Sequence, residues 1–175
     1  MKADEAARTA SLLVLDVDGV LTDGGLYYDS RGEVSKRFNV QDGLGIKLAQ
    51  GAGLHVAVIT GLDSPAVEMR IRELGIDEYH PGHREKLPLL RDVCTRLGVA
   101  CENVAYLGDD WVDAAPMRFA GLPMAVANAQ PEIKKIASWI SVKDGGQGAV
   151  REAIMFILEC QGKRREMWKA WTDND

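Results

Sequence analysis

The chain has 175 residues, 46% hydrophobic and 27% charged. That is enough apolar material for one domain with its own core and too much for a disordered segment. Its 26 acidic residues against 21 basic ones leave a formal net charge of -5, which gives nucleic acid no general electrostatic reason to bind.

In chain order, residues 1–11 read as an N-terminal extension. Asp4, Glu5 and the lack of a long apolar stretch set it apart from a signal peptide, and no run reaches the length of a bilayer span. Residues 12–17, LLVLDV, form a short apolar run closed by Asp18-Gly19 and predict a buried strand. Residues 25–38 predict a hairpin that turns at Asp29-Ser30-Arg31-Gly32, with Tyr27, Tyr28, Val34 and Phe38 on its arms. A lone two-stranded ribbon is marginal in water, so this one must lean on the domain body or on another subunit.

Residues 43–52 place Leu44, Lys47, Leu48 and Ala52 near helical spacing, and a second strand, HVAVI at 55–59, stops at Thr60-Gly61. Ser64 as cap, Pro65 in the first turn and Gly75 past the end frame the next helix. From Lys86 to Leu97, Leu87, Leu90, Val93, Cys94 and Leu97 form one stripe that ends at Gly98. A third strand at 104–107 runs into Gly108-Asp109-Asp110. A fourth is expected at 122–126, where Pro123 asks for a sheet edge or a strand start. Helices are expected at 113–120, 131–137 and 148–160. Residues 161–175 are a charged tail whose Trp168 and Trp171 are either frayed or docked on a partner. The alternation predicts an α/β fold over residues 12–160, a parallel sheet covered on both faces with right-handed crossovers. The three cysteines, Cys94, Cys101 and Cys160, are odd in number and widely spaced. They predict neither a disulfide framework nor a zinc site, and suit a reducing compartment.

The chemistry gathers at strand ends, which in a doubly wound sheet face the ligand crevice. Asp16 leaves the first strand there, and Asp18 follows before a turn at Gly19. Two carboxylates this close repel unless a cation lies between them or one is protonated. Mg²⁺ suits a few carboxylates together with water and phosphate oxygens. Asp109, Asp110 and Asp113 follow the third strand and deepen the negative charge. Asp113 equally suits a helix cap or first turn, and Asp110 a solvated position or a pair with a cation. Thr60 and the amide at Gly61 can hold a phosphoryl oxygen, or Thr60 can simply cap its strand. Lys86 supplies the charge that a dianionic phosphate needs. The sum is phosphoryl transfer through an aspartyl phosphate. Asp16 is the nucleophile and Asp18 the general acid and then base. Magnesium, Thr60 and Lys86 meet the equatorial oxygens, and Asp109 helps hold the metal.

Within NVQDGLG at 39–45, Asn39, Gln41 and Asp42 are hydroxyl-binding types for a sugar or, equally, a turn and a cap with Asp42 at the N-cap. Gly145, Gly146 and Gly148 form either a loop near the site or a plain connection to the last helix. Asp23 is expected to steady the loop after the first strand.

Asp16-Val17-Asp18-Gly19-Val20, Thr60, Lys86 and Gly108-Asp109-Asp110 with Asp113 resemble the four motifs of the haloacid dehalogenase superfamily, over about residues 12–160. The runs LDVDGVLTDGGLYY, FNVQDGLGIKL, VITG, ENVAYLGDD and GGQGAVREAI are similar to the 3-deoxy-D-manno-octulosonate 8-phosphate phosphatase family, which supplies a sugar of lipopolysaccharide. The resemblance implies a three-layer Rossmann-like α/β sheet with a small hairpin and no large cap domain. It implies a cytoplasmic homotetramer whose active sites form between subunits, acting on a small phosphorylated sugar acid; neither nucleic acid nor membrane is expected as a partner. It implies magnesium (Mg2+) on Asp16, Asp109 and the backbone oxygen of Asp18. Substrate contacts would fall on Asp18, Asn39, Val40, Gln41, Asp42, Gly43, Lys47, Gly61, Arg70 and Lys86. Leu62 departs from the family, which usually has an arginine directly after Thr-Gly to help recognise the sugar acid. Either Arg70 and Lys47, or His80, His83 and Arg84, then carry that task, or the substrate is a related sugar phosphate such as a nine-carbon ulosonate 9-phosphate. A non-catalytic scaffold of the same fold is the remaining alternative.

Overall fold

Helix α1 (Ala3–Thr9) precedes strand β1 (Leu12–Leu15), and a loop over Val17–Leu21 leads to the hairpin strands β2 (Tyr27–Tyr28) and β3 (Val34–Ser35). There follow α2 (Val40–Gly51), β4 (His55–Ile59), α3 (Pro65–Leu74), β5 (Glu78–His80), α4 (Lys86–Leu97) and β6 (Val104–Gly108). The chain then continues through α5 (Ala114–Phe119), β7 (Leu122–Ala125), α6 (Pro131–Ile136), β8 (Trp139–Ile140), α7 (Ala149–Cys160) and α8 (Arg164–Thr172). This computed structural model describes residues 2–173; Met1 of the extension and Asn174 and Asp175 of the tail lie outside the described residues.

Six strands pair in parallel in the order β5-β4-β1-β6-β7-β8. Every residue of β1 is buried, as expected for a strand with a helical layer on each face. Helices α1, α2 and α7 pack together on one side, and α4, α5 and α6 on the other. From β1 the chain moves outward to β4 and β5, then returns to the opposite neighbour, β6. That reversal opens a crevice at the carboxyl ends of β1 and β6.

Several local expectations change. The residues before β1 form a helix whose Ala6 and Ala7 are buried. Ser64 precedes α3, but its buried hydroxyl has no hydrogen-bond partner among the described residues, so Pro65 and the left-handed Gly75 frame that helix without a side-chain cap. Helix α2 starts earlier than its periodicity suggested, because Asn39 and not Asp42 caps it: Asn39 Oδ1 accepts from the Gln41 amide at 2.8 Å. Strand β7 is interior, with Pro123 as its second residue, so the strand-start reading holds and the edge reading fails. Strands β5 and β8 were not anticipated, since three and two residues are too few to show a period. The tail forms α8, which packs on α7 through Met167 and leaves Trp168 and Trp171 exposed.

Candidate active site

Strand register brings the polar stops together. Leu15 pairs with Val58 of β4 and with Leu107 of β6, so Asp16, Thr60 and Asp109 all leave the sheet within two residues of one level. The Asp16 amide still donates to the Leu107 carbonyl at 3.2 Å, which holds the aspartate at the strand end. The chain then turns at Gly19, whose φ of 86° lies in the left-handed region. A Cβ there would stand 2.1 Å from Asp109 Oδ2, so only glycine lets the two loops approach this closely. Buried Thr22 braces the turn: its hydroxyl donates to the Val17 carbonyl and accepts from the Gly24 amide. Asp23 accepts from the Gly25 amide at 3.0 Å.

Beneath the carboxylates lies one buried lysine. Lys86 opens α4, and its side chain has no exposed surface. Its Nζ reaches Asp16 Oδ1 at 2.8 Å and Asp113 Oδ1 at 2.7 Å. Asp113 is itself fully buried. Tyr106 donates to its Oδ1 at 2.8 Å, while the amides of Asp109 and Asp110 donate to its Oδ2 at 3.0 and 3.4 Å. Four donors occupy this carboxylate, so Asp113 is a buttress that sets the loop after β6 and the height of Lys86. Asp110 caps the turn that follows, accepting from the Trp111 amide. Asp113 takes the first-turn position that the sequence allowed it, whereas Asp110, expected to be solvated or paired with a cation, is instead the cap.

The electrostatics call for a cation. Burial, then the Asp113 charge, push Asp16 up to about 7, against the pull of Lys86. Burial, then Asp16, Asp113 and Asp110, push Asp109 up to about 8. For Lys86, burial pulls down, but Asp16 and Asp113 outweigh it and hold the ammonium above its ordinary range. Burial and Asp113 drive the Tyr106 hydroxyl well above the usual phenol range, so it stays a donor. Asp109 Oδ1 is buried with no hydrogen-bond partner among the described residues. Carboxylate oxygens of Asp16, Asp109 and Asp113 lie within 4.8 Å of one another. An orphaned buried oxygen beside a second carboxylate fits a hard, oxygen-seeking ion such as Mg²⁺. Asp113 is the weakest ligand of the three, because its oxygens are already taken.

Thr60 is buried at the neighbouring strand end, with its carbonyl accepting from the His83 amide at 2.9 Å. Gly61 and the exposed Leu62 follow. Arg84 lays its stem beside Gly61, 3.6 Å from where a Cβ would be, whereas His80 is tied to Glu78 at 2.8 Å.

The expected sugar-binding set is only partly assembled. Val40 and Gln41 are exposed in the first turn of α2. Asn39 is engaged as cap, and its Nδ2 donates to the Gly146 carbonyl at 3.4 Å. Asp42 faces inward: its oxygens accept from the Gly148 and Arg151 amides at 3.2 and 2.8 Å, which anchors the start of α7 and leaves no free carboxylate for a sugar. Gly43 is buried against Arg70, whose guanidinium pairs with Glu73 at 3.2 Å. Lys47 donates to the Leu74 carbonyl at 2.6 Å, at the far end of α3 from the crevice. Within one copy of the chain, Asp42 and Lys47 thus tie helices together, while Arg70 packs on Gly43 and pairs within its own helix.

Two residues escaped the sequence reading. Lys36, just past β3, donates to Asp18 Oδ1 at 2.6 Å. Tyr106 looked like an ordinary core residue of its strand. Gly145 and Gly146 press on the Asp16 loop: a Cβ on Gly145 would meet the Gly19 carbonyl oxygen at 1.6 Å, and one on Gly146 the Asp23 amide nitrogen at 2.5 Å. Of the two readings of these glycines, the loop near the site is the one the geometry displays.

Comparison with known proteins agrees with this geometry. Residues 78–154 match the haloacid dehalogenase-like hydrolases. The chain is 44% identical over 160 residues to the 3-deoxy-D-manno-octulosonate 8-phosphate phosphatase KdsC of Escherichia coli K12, covering 91% of this chain and 85% of that protein. Its structure is similar to that of a 3-deoxy-D-manno-octulosonate 8-phosphate phosphatase from Moraxella catarrhalis in complex with magnesium, phosphate and KDO. That likeness has a TM-score of 0.94 at 36% identity and covers 97% of each chain. A probable YrbI family phosphatase from Pseudomonas syringae is similar with a TM-score of 0.96 at 39% identity, covering 99% of this chain and 98% of that one.

Proposed function

The chain belongs to the 3-deoxy-D-manno-octulosonate 8-phosphate phosphatase family of the haloacid dehalogenase-like hydrolases, and we propose that it hydrolyses this octulosonate phosphate through an aspartyl phosphate. The observation that carries the reading is the meeting of Asp16 and Asp109 over buried Lys86, with Asp109 Oδ1 left unpaired among the described residues. That arrangement is poor as a folding device and apt for a dianion with its cation.

Lys86 holds Asp16 Oδ1, so Asp16 Oδ2 is the attacking atom. Its lone pair forms the bond to phosphorus while the bond to the sugar oxygen breaks, and Asp18 gives that oxygen a proton. Asp18 then takes a proton from water, whose oxygen attacks phosphorus and restores the Asp16 carboxylate. Lys86, the Thr60 hydroxyl and the Gly61 amide meet the phosphoryl oxygens as their charge grows. Asp16, Asp109 and the Asp18 carbonyl are the residues that would hold magnesium, which when bound neutralises charge on the phosphoryl group.

A homotetramer completes this reading. Leu26, Tyr27 and Tyr28 are exposed on the hairpin, and a hairpin this small is stabilised by a neighbour. Sugar-binding residues would then come partly from the adjacent subunit, since Asp42, Lys47 and Arg70 are engaged elsewhere in their own. A cytoplasmic place in lipopolysaccharide assembly accompanies the substrate; among the described residues, no helix is long and apolar enough to cross a membrane.

The test is a kinetic screen of eight- and nine-carbon ulosonate phosphates and hexose phosphates, with and without Mg²⁺. The octulosonate phosphate should be the preferred substrate, and turnover should require Mg²⁺. Asp16→Asn should lower turnover by about 10⁴-fold or more, the scale on which enzymes lose a nucleophile. Preference for a nine-carbon substrate refutes the sugar assignment. Near-normal turnover in Asp16→Asn refutes the nucleophile.

A further inference from the structure

Lys36 reaches the Asp16–Gly19 loop from the hairpin side, at 2.6 Å from Asp18 Oδ1. Its side chain is only 2% exposed, while that of Asp18 is 26% exposed. An ammonium withdrawn this far from water is stable only against a carboxylate. Hairpin pairs such as Arg31 with Glu33 are solvated and contribute little. The lysine is therefore sequestered on one oxygen of Asp18, and the open side of that carboxylate faces outward.

Lys36 also lines a cleft of about 630 Å³ between the hairpin, at Tyr28 and Val34, and the segment from Leu62 to Pro65. The volume is that of a small-molecule site. Among its described lining residues Lys36 is the sole cation, facing Glu33 and Asp63.

We propose that Lys36 is a positioning residue of the phosphatase. By fixing Oδ1 of Asp18 it aims Oδ2 at the oxygen that links phosphorus to the sugar. The inference rests on Asp18 being the general acid and base. Lys36 keeps its own protons throughout: Asp18 gives one to the leaving oxygen and later takes one from water. Without the lysine the carboxylate is free to rotate, and a misplacement of about 1 Å lowers a rate by roughly 10²-fold.

A leaving-group comparison tests this in the whole protein with Mg²⁺ present, using Lys36→Met, Lys36→Gln and Lys36→Arg. A sugar alkoxide needs a proton to leave, whereas p-nitrophenolate does not. In the Met and Gln variants the first turnover of the octulosonate phosphate should slow about 10–10²-fold, with substrate affinity within about threefold of the parent. First-turnover release of p-nitrophenolate from p-nitrophenyl phosphate should stay within about threefold, and Lys36→Arg should recover most of the loss. Equal slowing on both substrates, a loss confined to affinity, or an unchanged first turnover in both variants overturns the proposal. A parent protein that cleaves p-nitrophenyl phosphate and another sugar phosphate, but not the octulosonate phosphate, refutes the substrate assignment alone. The comparison is then made with the sugar phosphate it does cleave.

Discussion

Two lysines meet the aspartates of the Asp16–Gly19 loop from opposite sides, and they are held in different ways. Lys86 rises from a helix start inside the core, shares Asp113 with Tyr106 and sits under a sheet buried on both faces. Lys36 comes from a hairpin of two-residue strands whose Tyr27 and Tyr28 are exposed. That hairpin is joined to the body by few bonds, among them Arg37 to the Gly146 carbonyl and the bridge from Thr22 to Phe38. The core lysine is part of what makes the domain fold. The hairpin lysine borrows a scaffold that stands without it, so damage to the two should separate stability from chemistry.

The largest effect that separates them is on Lys86→Met. Removing one partner of a buried charge network costs about 3–5 kcal/mol, or roughly 10 °C of melting temperature in a chain of this size. Activity should vanish with it. The equivalent change at Lys36 should cost less, because the Asp18 carboxylate it leaves behind is 26% exposed to water, whereas Asp113 is fully buried. A thermal melt of both variants decides this, and equal losses erase the distinction.

Next comes Gly145→Ala, which strikes the loop from behind. The new Cβ would collide with the Gly19 carbonyl, so the Asp16 loop must shift, and turnover should fall about 10²-fold with substrate affinity less affected. An alanine variant of normal turnover would mean that the two loops move apart without consequence for the site.

The smallest effect is on pH dependence. Asp16 at about 7 and Asp109 at about 8 both lie above their ordinary 3.8. Without metal the folded chain therefore binds more protons than the unfolded chain between these limits, and stability falls as pH rises through that window. Magnesium favours the ionised carboxylates, so it should raise the melting temperature more at about pH 8 than at about pH 5. Metal-free melts that rise with pH across the window, or a magnesium shift of equal size at both, would contradict the assignment of these two aspartates.

The difference between the two lysines also marks how far the sequence could be read. Asp16, Thr60, Lys86 and Asp109 were legible because each stands at the boundary of an apolar run or helical stripe, and strand ends share one edge of a parallel sheet. Within one copy of the chain Asp42 and Lys47 tie helices together, and nothing local tells a carboxylate that caps a distant helix from one that faces a ligand. Ser64 had the right type and position for a cap, yet its hydroxyl is buried without a partner among the described residues. Lys36 lay unmarked on a hairpin arm, where one basic residue looks like any other.

The sequence by itself determined which functional groups lie at the strand ends, since short apolar runs stopped by Asp, Thr and Gly specify where each strand leaves the sheet. Only the tertiary structure decided which charge meets which. Lys36 lies 18 positions from Asp18, and Lys86 lies 27 from Asp113. Pairings that distant are selected by packing and by the cost of burying an unmatched charge, and no local pattern records them.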